Sequence, residues 1–78
     1  MKLTLESTTK ILELRLPSGA VVPARVWQGR TDSGIEVHAY ITRVAVHNEK
    51  DTTEFARELV EQTAPRPEIA ALPARLVL

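Results

Sequence analysis

The alternation of apolar and polar positions divides the chain in two. Residues 3–16 alternate weakly and then clearly, with Leu12, Leu14 and Leu16 to one side and Glu13 and Arg15 to the other. A period of two is that of a half-buried strand. Pro17-Ser18-Gly19 follows as a turn, Pro setting φ and Gly admitting positive φ. Val21 to Arg30 reads as a second strand carrying the single Trp. Pro23 within it removes a ladder donor, which predicts an edge position or a bulge. Thr31-Asp32-Ser33-Gly34 is the strongest turn, and Ile35 to Val46 is a third long strand with Ile35, Val37, Ala39 and Ile41 on one face. After Thr42-Arg43 the apolar residues change phase, so Val44 and Val46 join the face of His38 and Tyr40. A phase change means a bulge or a sheet that is apolar on both sides.

The period then lengthens. Asp51-Thr52-Thr53-Glu54 reads as a helix start with Asp51 as N-cap and Glu54 completing a capping box. Phe55, Ala56, Leu59, Val60 and Thr63 form one stripe, while Glu54, Glu58 and Glu61 lie towards the polar side with Arg57 in reach of Glu61. Pro65 predicts an end at about Thr63, because it pushes Ala64 out of the helical region. The remainder is punctuated by proline and closes on the apolar run Leu72-Pro73-Ala74-Arg75-Leu76-Val77-Leu78. It echoes Val22-Pro23-Ala24-Arg25-Val26 and reads as an extended tail packed on the domain or on a partner subunit. The expected fold is α+β: an antiparallel meander of three or four strands, then one C-terminal helix, in a single domain over residues 1–64, with the tail over 65–78.

Pairing Arg30 with Ile35 across the second turn sets a register. Gln28 then faces Val37, Val26 faces Ala39 and Ala24 faces Ile41, and the helix is expected over Val26, Val37 and Ile41. The opposite face carries Trp27 across from His38 and Arg25 across from Tyr40. Arg25, Trp27, His38 and Tyr40 are the expected protein-binding cluster, since Trp, Tyr and Arg dominate binding hot spots. The acidic helix face of Glu54, Glu58 and Glu61 is the second docking candidate.

Composition narrows the function classes. The 78 residues include no Cys, so disulfides, thiolate nucleophiles and thiolate metal sites are absent. Ten basic residues balance ten acidic ones, which argues against a dedicated nucleic-acid coat. The 44% hydrophobic and 26% charged content is that of a folded chain. No apolar block approaches the ~20 residues of a membrane helix, and none resembles a signal peptide, so the expected address is the cytoplasm. A domain this small buries only ~60% of its unfolded surface and commonly needs a staple. With disulfides absent, a homodimer is the expected device.

Chemistry has little to build on. His38 and His47 face opposite sides of one continuous strand, and no motif links them into a metal site. Glu36 beside His38 is a common strand arrangement and makes no catalytic set without a nucleophile. Gly29 and Gly34 read as turn glycines, with no phosphate loop. The chain is therefore expected to be no enzyme and to hold no cofactor or metal. Residues 1–47 carry Lys2, Lys10, Arg15, Arg25, Arg30 and Arg43 against Glu6, Glu13, Asp32 and Glu36. This mildly basic sheet with Trp27 and Tyr40 makes nucleic acid the runner-up partner.

The stretch Leu16-Pro17-Ser18-Gly19 through Val22-Pro23-Ala24-Arg25-Val26-Trp27-Gln28-Gly29-Arg30-Thr31-Asp32-Ser33-Gly34 to Tyr40-Ile41-Thr42-Arg43-Val44-Ala45-Val46 covers about half the chain. It resembles small uncharacterised proteins of phage and mobile-element gene sets. The resemblance implies a protein that binds a host protein as an inhibitor or regulator, and it assigns no site residues. The leading expectation is thus a small non-enzymatic protein-interaction module. The alternatives are a small regulator that binds nucleic acid through the sheet, and a structural homo-oligomer subunit without ligand.

Overall fold

The computed structural model describes residues 1–47, 52–72 and 75–77. Strands β1 (Leu3–Arg15), β2 (Val21–Thr31) and β3 (Glu36–Ile41) form an antiparallel open sheet. Helices α1 (Thr52–Leu59) and α2 (Pro67–Ala70) follow, and β4 (Arg75–Val77) pairs parallel to Glu13–Arg15 of β1. The order across the sheet is β3-β2-β1-β4, a mixed α+β arrangement.

Two turns of one kind build the meander. In the first, Gly19 N–H donates to the Leu16 carbonyl and Leu16 N–H to the Ala20 carbonyl. In the second, Gly34 N–H donates to the Thr31 carbonyl and Thr31 N–H to the Ile35 carbonyl. Gly19 and Gly34 have φ of 89° and 92°. Each is a three-residue loop whose last residue is left-handed, the geometry of a hairpin that ends in a glycine bulge.

The second loop sets a register one residue away from the expected one. Thr31 lies opposite Ile35, so Arg30 pairs with Glu36, Gln28 with His38, Trp27 with Ala39, Val26 with Tyr40 and Arg25 with Ile41. A one-residue slip exchanges faces. Val26 therefore sits on one side of the sheet and Val37 and Ile41 on the other, and the single helix-bearing face expected for all three does not exist.

One face is the core. Leu12, Leu14, Ala24 and Val26 are buried there, and Ile69 of α2 packs on Leu12 and Val26 with Tyr40 and Leu72 around it. Gln28 on the same face accepts the Arg66 N–H at 2.9 Å through Oε1, and the Arg66 guanidinium donates to the Val37 carbonyl at 3.1 Å. These bonds fix the entry to α2, a four-residue turn too short to persist alone.

Several expected boundaries shift. The helix ends at Leu59 rather than Thr63. Thr63 is drawn into strand-like pairing: its N–H donates to the Ser7 carbonyl and its carbonyl accepts from Thr9. That pairing occupies an irregularity in β1, where the register shifts between Ser7 and Ile11. Thr8, fully buried, donates its hydroxyl to the Val26 carbonyl at 2.6 Å and accepts the Lys10 N–H at 3.2 Å. Arg57 makes its expected pair with Glu61 and a second with Glu54. The bond from Glu54 holds the Arg57 guanidinium above the usual arginine range. The expected N-cap, Asp51, lies outside the described residues.

Gly29 is no turn residue. It lies inside β2, paired with Leu5 and Val37. A Cβ there would overlap the Thr4 carbonyl and approach Leu5 Cα to 2.9 Å, so close backbone approach demands glycine. Pro23 sits in a strand flanked on both sides, yet β3 stops at the Arg25–Ile41 pair. By the alternation of antiparallel bonding its nitrogen points to the β3 side, where the ladder has already ended. The third strand likewise ends at Ile41 rather than Val46.

Candidate functional site

The face opposite the core carries Leu3, Leu5, Ile11, Trp27, Val37, Ala39 and Ile41 by strand alternation. Among the described residues α1 is the one helix over it, with residues 42–44 beside it. None of the α1 residues is buried, and Phe55 alone is half-buried. A groove of about 270 Å³ runs between helix and sheet, lined by Ile11, Trp27, Ile41, Val44, Phe55 and Leu59, with Arg25, Thr42 and Arg43 also on its wall. A second hollow of about 280 Å³ lies between Trp27, Phe55 and Leu59 and the polar residues Glu6, Ser7, Glu58 and Glu61. Trp27, itself half-buried, thus forms wall to both hollows. Ile11 remains 54% exposed and Leu59 44%.

The four residues expected to cluster are divided. Arg25 and Trp27 lie on the groove face, while His38 and Tyr40 lie on the core face at its rim. His38 Nε2 and the Tyr40 hydroxyl are 3.0 Å apart, with the rings edge to face at 5.4 Å and 73°. Tyr40 packs on the Leu12–Val26–Ile69 core, so the pair is a core edge with a polar rim. Arg25 has an internal duty: its guanidinium donates to the Thr8 carbonyl at 2.7 Å. With the Gln62 amide turned to satisfy its neighbours, Arg25 also donates to Gln62 Oε1 at 3.0 and 3.2 Å. It therefore ties the β1 irregularity to the chain leaving α1.

Other groups are similarly engaged. Glu36 meets Arg30 at 3.5 Å and Arg66 at 3.6 Å. Among the described residues no three His, Asp or Glu side chains converge as metal ligands, and no helix is long and apolar enough to cross a membrane. Sequence reasoning singled out Trp27 but missed Ile11 and Val44 as its groove partners. The missed signal is the place of Gly34: pairing Arg30 with Ile35 presumes a four-residue loop, whereas a glycine closing the turn after Asp32-Ser33 marks a three-residue loop with a left-handed last residue. Comparison with protein-family models, curated proteins and solved structures finds no match to this chain.

Proposed function

We propose that the protein is a non-enzymatic interaction module that docks another protein through the groove beside Trp27. The observation that carries this reading is the apolar sheet face left open beneath a helix with no buried residue. Aromatic side chains in partly desolvated hollows are the usual anchors of protein interfaces. The role of inhibitor or regulator of a host protein is what the sequence resemblance adds to this reading. The nucleic-acid alternative draws less support, because Arg25 already serves the Thr8 carbonyl and Arg30 is paired with Glu36 at the surface.

The test is site-specific photocrosslinking in cells. A photoreactive phenylalanine analogue replaces Ile11 in the groove or His38 on the opposite face. The reading predicts a discrete adduct with another protein from position 11 that disappears when Trp27→Ala is added, and from position 38 no adduct with any protein other than this chain itself. No adduct at position 11, or the same adducts from both positions, overturns it. Retention on single-stranded nucleic acid that falls steeply with salt would instead favour the runner-up.

A further inference from the structure

The two sides of the sheet are not equally closed. Beyond β1, Thr63 bonds to Ser7 and Thr9, and β4 pairs with Glu13–Arg15. Beyond β3, no strand pairs among the described residues. Natural edges are blunted by charged side chains, above all lysine, by proline or by a bulge. Glu36–Ile41 has no lysine or proline, and its pairing with β2 runs without a register shift. Its one charged side chain, Glu36, is at the strand's end and engaged by Arg30 and Arg66.

The direction of its backbone groups follows from the turn. The Ile35 carbonyl accepts from Thr31 on β2. Antiparallel bonding alternates along a strand, so Val37, Ala39 and Ile41 turn their N–H and C=O groups to β2. Those of Glu36, His38 and Tyr40 point away from the sheet. We infer that a second copy of this chain pairs with this edge, β3 against β3 in antiparallel sense, joining two sheets into one of eight strands.

Self-pairing suits this strand for three reasons. Its outward groups are the donors and acceptors that another strand satisfies. A two-fold axis normal to the sheet keeps like faces together. Centred on Ala39, it sets Val37 opposite Ile41 of the second copy and His38 opposite Tyr40 of the second copy. The antiparallel sense also brings the Glu36 end of one strand to the end of the other that leads into exposed Arg43, whereas a parallel pair would stack like charges. The same axis places both Trp27 grooves on one side of the joined sheet, so a partner with two binding segments would gain avidity. The edge pairing itself stands apart from the groove reading.

Analytical ultracentrifugation of the full chain over a dilution series tests the pairing. Expected is a monomer–dimer equilibrium, with the His38 and Tyr40 amides protected from hydrogen exchange in the dimer and released on dilution. The Val37 and Ala39 amides should stay protected throughout. His38→Pro removes an outward N–H and none of the β2 ladder, so it should give a folded monomer. If that variant does not fold, the concentration dependence of the His38 and Tyr40 amides decides alone. A monomer at every concentration overturns the inference. So does a dimer whose His38 and Tyr40 amides exchange freely; one of that kind abolished by Trp27→Ala would place the contact in the groove.

Discussion

Truncating Ile69 asks whether the short helix α2 belongs to the core or only rests on it. Its side chain is 0% exposed, the one buried residue of α2, and it closes the cluster with Leu12 and Val26. Ile69→Ala removes three carbons from that site. At ~0.8 kcal/mol per buried methylene the transfer loss alone is about 2.4 kcal/mol. The unfilled cavity brings the expected total to about 2–5 kcal/mol. A domain of this length has roughly 4–12 kcal/mol of stability, so the variant should lose a large fraction of it. Urea unfolding followed by Trp27 fluorescence reads the change. Ile69→Val should cost only ~0.5–1.5 kcal/mol. Val60→Ala, at a position 75% exposed, should fall within about 0.5 kcal/mol of wild type. An Ile69→Ala loss below ~1 kcal/mol at unchanged slope would refute the placement of α2 on the sheet.

Two glycines give further tests. Gly29→Ala sets a methyl against the Thr4 carbonyl and Leu5 Cα, both backbone; overpacking should cost at least ~1–3 kcal/mol, and an unchanged thermal midpoint by circular dichroism would contradict it. Gly34→Ala meets nothing within 4 Å, so its cost is only the left-handed backbone, about 1–2 kcal/mol. At ~4–8 °C per kcal/mol for a domain of this size, a calorimetric midpoint lowered by several degrees is expected, with Gly34→Asn milder.

The strands were legible because Leu12, Leu14 and their neighbours alternate, and the two turns because Gly19 and Gly34 are placed where loops need positive φ. The faces were not, since the loop length decides them and a single residue inverts every side chain beyond it. Trp27 was visible as a docking candidate from its type alone, but its neighbours depend on that register. The apolar stripe through Thr63 overestimated α1 because Thr63 finds better partners in Ser7 and Thr9 than in a last helical turn. The Pro-rich stretch concealed α2, although Pro67 at its first turn is where proline favours a helix start.

Every assignment to the groove, the core rim and the open edge depends on Trp27 lying opposite Ala39. Nuclear Overhauser contacts between α-protons read this directly, since residues in non-hydrogen-bonded antiparallel pairs bring their Cα atoms to ~4.5 Å. The account predicts strong contacts between Val26 and Tyr40 and between Gln28 and His38. A strong contact between Val26 and Ala39, or between Trp27 and His38, would restore the other register, reunite Trp27 with His38 and Tyr40, and contradict the account.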